Sequence, residues 1–280
     1  MGLIDLVMRD LDPIWAMPLI QGAEQEAMRV GASIVLTSTH GRSAGNRHWV
    51  QHLASRRTDA VVLVVSALSE RAAEELGRLH TPVVLVDPVG DAPGHMPTVA
   101  AANVAGGRMA TEHLLRLGHR RIGVISGPAG VRCSEDRLAG YRQAHQRHGI
   151  PLDPQLQRYG DFMPASGLAE ARRMLALTRR PTAIFAGTDQ TASGVYEAAR
   201  ERHLRIPEDL SVVGFDDVIL SEWLRPPLTT VRQPLEQMAR AAIQAAAQIA
   251  YEGRAPERRI ELPTSLTLRH STAAPLSAAA

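Results

Sequence analysis

The chain has 280 residues, 45% of them hydrophobic, which is enough to bury more than one core. All 31 basic residues are arginine and face 29 acidic ones, so a net charge of +2 offers no basic stripe for nucleic acid. Cys133 is the single cysteine, which excludes an internal disulfide and suits a reducing compartment. No apolar run reaches the length of a membrane span and no leader pattern precedes the first strand, so the expected location is cytoplasmic.

In chain order, residues 3–8 read as a buried strand and 15–30 as a helix stopped by Gly31. A strand at 33–36 and a helix at 46–56 follow. The β-branched run at 60–65 marks a strand covered on both faces. A helix at 69–79, with Ser69 as its cap, leads to a strand at 82–87. The rhythm then repeats: helix 104–117 ending at Gly118, strand 121–125, helix 136–148, short strand 156–159, helix 165–177, strand 183–186, helix 190–202 and strand 210–215. After Phe215 the pattern breaks into an extended 226–231, an Ala-rich helix at 235–251, and short strands at 259–262 and 265–268.

Alternating strands and helices predict an α/β chain of two similar lobes, each a doubly wound parallel sheet. The first lobe is expected to hold residues 1–119 plus 232–254, the second 120–231 plus 255–272. Residues 273–280 are expected to be a disordered tail. Repeated passage between lobes makes a hinge, and a hinge between α/β lobes makes a cleft.

Ligands of open α/β sheets sit outside the carboxyl ends of the strands. No Gly-x-Gly-x-x-Gly, Walker loop or Gly-x-Ser-x-Gly elbow stands at those exits, and Gly127-Pro128 reads as a turn. His40, His48 and His52 lack an acidic or cysteine companion and are read as solvated, so neither metal nor cofactor is expected. Cys133 has no identifiable partner and reads as packing or pocket lining rather than a nucleophile. What does gather at strand exits is Asp12 and Trp15, then Arg137, then Asp161 and Phe162, then Asp189, then Asp216 and Asp217. Aromatic faces, carboxylates and one forked guanidinium are what a polyhydroxylated ring needs. Each has a plainer reading: Asp161 and Asp189 suit helix caps, and Trp15 and Phe162 suit a core.

These segments also resemble the LacI/GalR family. The resemblance is carried by Thr111-Glu112-His113-Leu114-Leu115-Arg116-Leu117-Gly118-His119-Arg120-Arg121-Ile122, by Arg137-Leu138-Ala139-Gly140-Tyr141 and by Arg180-Pro181-Thr182-Ala183-Ile184-Phe185. It continues through Pro207-Glu208-Asp209-Leu210-Ser211-Val212-Val213-Gly214-Phe215-Asp216-Asp217 and Pro226-Pro227-Leu228-Thr229-Thr230-Val231-Arg232-Gln233-Pro234. It spans about residues 3–272.

The resemblance implies a periplasmic-binding-protein-like fold with three interlobe crossings, a homodimer, and a small-molecule effector, a neutral monosaccharide being favoured. By motif position Arg137 matches an effector-clamping arginine and Asp189 a hydroxyl-binding aspartate. Trp15 falls where the family puts ring-contacting aromatics, Phe162 follows the Gly-Asp of the family's Gly-Asp-Phe loop, and Cys133 falls in a stretch that tunes effector choice. Asn103 stands in the family's Asp-Asn pair, with Ala102 in place of the Asp. Asp12, Asp216 and Trp223 complete the candidate ligand set.

The family's helix-turn-helix headpiece does not appear in the sequence, which reads as trimmed ahead of the first strand. Operator DNA would be reached only through that missing part. The expected function is therefore effector sensing for a transcriptional regulator. A transport-type solute-binding protein is the alternative, and a sugar-acting enzyme the less favoured one.

Overall fold

The computed structural model describes residues 2–11, 14–39, 53, 55–64, 70–78, 80–90, 96–254 and 256–276. The chain divides into two units, Met1–Ala101 with Pro234–Leu262, and Ala102–Gln233 with Pro263–Ala280.

In the first unit β1 (Gly2–Met8), β2 (Ala32–Ser38), β3 (Ala60–Val64), β4 (Val83–Val86), β5 (Thr98–Ala101) and β11 (Arg259–Leu262) form one sheet in the order β11-β5-β4-β3-β1-β2. Every pairing in it is parallel. Strands 3 and 4 are buried throughout, as an apolar run covered on both faces requires. Asp5, in the middle of β1, is fully buried; Thr37 and Thr58 donate to its carboxylate at 2.7 and 2.8 Å and Arg56 lies 3.6 Å away. Helix α1 (Ala16–Arg29) packs on α8 (Leu235–Glu252) through Gly22, where a β-carbon would sit 2.4 Å from the Glu236 carbonyl oxygen. Helix α2 (Glu70–Arg78) supplies Leu76 to a core with Val7, Leu53, Val61, Leu63, Val83 and Leu85.

The second unit repeats the plan. Strands β6 (Ile122–Ser126), β7 (Gln157–Tyr159), β8 (Ala183–Ala186), β9 (Ser211–Asp216), β10 (Thr229–Arg232) and β12 (Ser265–Thr267) run in the order β12-β10-β9-β8-β6-β7. Only β12 is antiparallel to its neighbour. Successive strand residues point to opposite faces, and two cores follow from that alternation. Ile122, Val124, Ala183, Phe185, Val213 and Phe215 meet helices α3 (Asn103–Arg116) and α4 (Arg132–Arg147) on one face. Ile125, Ile184, Ala186 and Val212 meet α5 (Pro164–Leu175) and α6 (Asp189–Glu201) on the other. A short α7 (Leu220–Trp223) follows β9.

Several expectations need correction. The boundary expected at His119 falls at Ala101, because α3 packs on α4 and belongs to the second unit. Strand β11 belongs to the first unit, because it pairs with β5. Neither β5 nor α7 was expected; β5 is a four-residue Thr-Val-Ala-Ala run, too short for its periodicity to announce a strand. Helix α4 begins at Arg132, four residues before the expected start, which puts Arg137 in its second turn. Most of the helix expected at 46–56, the cap Ser69, and His40, His48 and His52 lie outside the described residues.

The expected tail is also different, in that Ala273, its first residue, is fastened down, as is Ser271 just ahead of it. The Val212 amide donates to the Ser271 carbonyl at 2.9 Å, and the Ser271 hydroxyl donates to the Val212 carbonyl at 2.6 Å while accepting from the Thr229 amide at 2.8 Å. His119, 1% exposed, donates from Nε2 to the Ala273 carbonyl at 2.9 Å, which leaves Nδ1 to accept from the Thr182 hydroxyl at 2.9 Å. Residues 277–280 lie outside the described residues.

His113, His119 and His145 all titrate below the ordinary histidine value of 6.5, burial being the largest cause in each case. Below about pH 6.5 the unfolded chain therefore takes up protons that the folded chain refuses, so the stability these rings contribute is full above that pH and lost as pH falls. The expected result is a lower urea midpoint at pH 5.5 than at 7.5, with part of the drop absent in His119→Gln. A midpoint that does not move would overturn the reading.

Candidate functional site

The described candidates divide between the units. Trp15, partly buried just ahead of α1, lies in the first; Asp12 lies outside the described residues. The others belong to the second unit, and three of them, Asn103, Phe162 and Asp216, surround the guanidinium of a fourth, Arg137.

Arg137 is 4% exposed. Its Nε donates to Asn103 Oδ1 at 2.9 Å, Nη1 to the Gly187 carbonyl at 2.6 Å, and Nη2 to Gln233 Oε1 at 2.7 Å. Asp216 Oδ1 lies 3.6 Å from Nη1. The guanidinium is stacked 3.8 Å from the Phe215 ring centroid and 5.6 Å from that of Phe162. Strand order reverses around β6: β7 lies on one side of it and β8 on the other. Arg137 comes from the helix after β6 and its Gly187 partner from the exit of β8. The side chain therefore stands at the switch point where open α/β sheets bind ligands.

The loops around it are held in place. Phe162 adopts a left-handed backbone, φ +71°, and its carbonyl accepts from the Thr188 hydroxyl at 3.0 Å. Its ring lies so close over Gly127 that a β-carbon there would be 1.9 Å from Cζ. Gly127 is thus more than a turn residue: only glycine lets this ring settle. Asp216 has φ +105°, a strained conformation of the kind that persists where surrounding contacts impose it, and Asp217 follows at φ +60°. Arg232, Arg269 and Thr267 bind the Asp217 carboxylate at 2.7, 2.7 and 3.0 Å. Burial pushes the Asp217 carboxyl up, but those three partners outweigh it and hold it below its ordinary value.

Asp189 stands apart from the expectation. It is fully buried at the start of α6, taking the Thr230 hydroxyl at 2.5 Å and the Val218 amide at 2.9 Å. Burial, reinforced by the neighbouring charge of Asp216, pushes its carboxyl well above the ordinary carboxylate range. The carboxylate beside Arg137 is Asp216, and Asp189 braces the loop behind it. Thr188, not Asp189, caps α6, accepting from the Thr191 amide at 3.0 Å. Asp161 is exposed and accepts from the Met163 amide at 2.9 Å and from the Ser166 hydroxyl, which makes it a turn residue ahead of α5, whose N-cap is Met163. Cys133 is buried in the first turn of α4. Trp223 is 68% exposed on α7.

Gln233 was missed. It follows directly on β10, which lies between β9 and β12, and its only signal in the sequence is its place beside Pro234 in the last family-like motif.

A doubly wound second unit with a clamped arginine at its switch point defines the class of two-unit α/β small-molecule binders. Residues 111–272 match the family model described as periplasmic binding protein-like domain. The chain is 30% identical over 267 residues to the ribose operon repressor of Escherichia coli (strain K12), covering 95% of this chain and 80% of that protein. It is 33% identical over 275 residues to the HTH-type transcriptional regulator DegA of Bacillus subtilis (strain 168), covering 97% and 81%. Among solved structures, a transcriptional regulator CelR–cellobiose complex superposes with a TM-score of 0.90 at 29% identity, over 96% of this chain and 84% of that one. The chain belongs to the LacI/GalR family of transcriptional regulators, of which it forms the effector-binding core. No helix among the described residues is long and apolar enough to cross a membrane.

Proposed function

We propose that this core binds a neutral monosaccharide at Arg137 and Asp216, and that the bound state alters DNA binding by a dimeric, cytoplasmic regulator carrying a headpiece. The observation that carries the reading is the buried Arg137–Asp216 pair at 3.6 Å, flanked by the Phe162 and Phe215 rings. A guanidinium and a carboxylate side by side donate to and accept from vicinal hydroxyls, and an aromatic face takes the C–H face of a ring. Their charges cancel, and Asp189 behind them is held toward its neutral form, so the site suits an uncharged polyol better than a phosphate. Cys133, Asn103 and Trp223 of the second unit remain candidates for lining it. The role proposed is sensing without turnover, as in the repressors to which the chain is similar.

A thermal-shift screen of the 280-residue chain across monosaccharides, disaccharides and nucleobases tests this, with D-ribose and cellobiose as the first probes. Ligand at about a hundred times its dissociation constant adds about 2.7 kcal/mol. At this chain size that is a rise in Tm of roughly 5–10 °C. A shift confined to nucleobases or to phosphorylated sugars would replace the monosaccharide reading.

A further inference from the structure

The chain passes between its units three times, at 101/102, 233/234 and 262/263. The residues beside the first two passages end on the same guanidinium: Arg137 donates from Nε to Asn103 Oδ1 at 2.9 Å and from Nη2 to Gln233 Oε1 at 2.7 Å, both bonds being buried. The Gln233 amide donates in turn to the Asp216 carbonyl at 3.2 Å, so its main chain is tied to the acidic partner of Arg137. Beside the third passage, the Thr264 hydroxyl reaches the Ala102 carbonyl at 3.5 Å. The Arg137 main chain is fixed as well. A β-carbon at Gly107 would lie 2.2 Å from the Arg137 carbonyl oxygen, and one at Gly140 would lie 2.2 Å from that of Val104. Helix α4 therefore touches, backbone to backbone, the helix that Asn103 begins.

A guanidinium is planar and forks rigidly, so a change of plane or position at one of its nitrogens is felt at the others. Bonds to Asn103 and Gln233 cannot both survive a displacement of the fork.

We propose that Asn103 and Gln233 are positioning residues that fasten the effector-holding guanidinium to the first two passages of the chain, so that occupancy of Arg137 is read where the chain leaves one unit for the other. The proposal rests on the assignment of Arg137 to the effector site. It adds that the signal leaves the site through these two amide side chains.

Hydrogen exchange by mass spectrometry on the 280-residue chain tests it without needing the effector. The reporters are the Gly106 amide, which bonds to the Ala102 carbonyl at 2.9 Å in the first turn of α3, and the Gln233 amide. Asn103→Ala is expected to speed exchange at Gln233, and Gln233→Ala at Gly106, each by about tenfold or more, because the two side chains share one anchor. Gln233→Glu keeps an acceptor at Oε1 and should restore the protection lost in Gln233→Ala. Effects confined to the segment that carries the substitution would overturn the relay, because a merely local packing role moves only its own segment.

A second arm uses D-ribose, or whichever probe shifts Tm, at a concentration shown by calorimetry to saturate each variant. The unsubstituted chain should gain protection at both reporters and Gln233→Ala at neither; protection retained in Gln233→Ala overturns the relay. If the unsubstituted chain binds no probe, the effector reading fails on its own, and the ligand-free arm still decides whether the relay exists.

Discussion

Arg137→Ala is expected to abolish effector binding and to cost stability at the same time. The side chain makes three buried hydrogen bonds and lies 3.6 Å from a carboxylate that is itself 6% exposed. Removing one partner of a buried pair leaves the other charge uncompensated, at about 3–5 kcal/mol. It also leaves the acceptors on Asn103, Gly187 and Gln233 without this donor. For binding, truncating one buried charged partner costs about 2–5 kcal/mol, which is roughly thirtyfold to several-thousandfold in affinity. Calorimetry with the sugar identified by thermal shift measures the second effect, and urea unfolding the first.

Arg137→Lys separates them. It keeps a positive charge near Asp216 but cannot fork toward Asn103, Gly187 and Gln233 together, so it should recover stability better than affinity. Undiminished affinity in both variants would remove Arg137 from the site.

Much of this site was legible in the sequence, because chemistry in an open α/β sheet collects at strand exits and strand exits follow from hydrophobic runs. Arg137, Phe162, Asp189 and Asp216 all fell into view that way. What the sequence could not rank was Asp189 against Asp216. Both are aspartates at the exits of apolar strands, β8 and β9. Their difference lies in partners distant along the chain: Thr230, on β10, takes up Asp189 Oδ1, while the fork of Arg137, on α4, stands beside Asp216. Gly214 shows the same limit. It reads as an unremarkable residue inside a strand, yet a β-carbon there would sit 2.3 Å from Asp189 Oδ1, so its smallness is what lets the carboxyl dock.

The lobe boundary failed for a related reason. Helix α3 looks like the last element of the first half by order alone, and its glycine-mediated seat on α4, with its packing on the second sheet, assigns it to the second. The duplicated strand order of the two sheets, by contrast, follows from the repeating strand–helix grammar, since each crossover has one permitted hand.

Truncation after His270 is expected to unfold the second unit or leave it barely stable, although the segment removed reads as small and dispensable. Three buried groups lose their partners with Ser271, namely the Val212 amide, the Val212 carbonyl and the Thr229 amide, and the Nε2 of His119 loses the Ala273 carbonyl while keeping the Ser211 hydroxyl at 3.1 Å. A buried polar group left unpaired costs about 1–3 kcal/mol. Even with generous relaxation and water entry, three such losses come to several kcal/mol, against a typical total of about 5–15 kcal/mol for a domain. The affected strands are β9 and β10, whose ends carry Asp216 and Gln233, so the damage would reach the site as well as the fold.

The single-residue version is Ser271→Ala. It keeps the backbone bond from Val212 but removes the hydroxyl that both donates to the Val212 carbonyl and accepts from the Thr229 amide, and it should cost about 2–4 kcal/mol. Removing only residues 277–280 should leave the urea midpoint where it was. A truncation at 270 that unfolds at the same midpoint as the full chain would show that these bonds are replaced by water at no cost, and that the strap holds nothing.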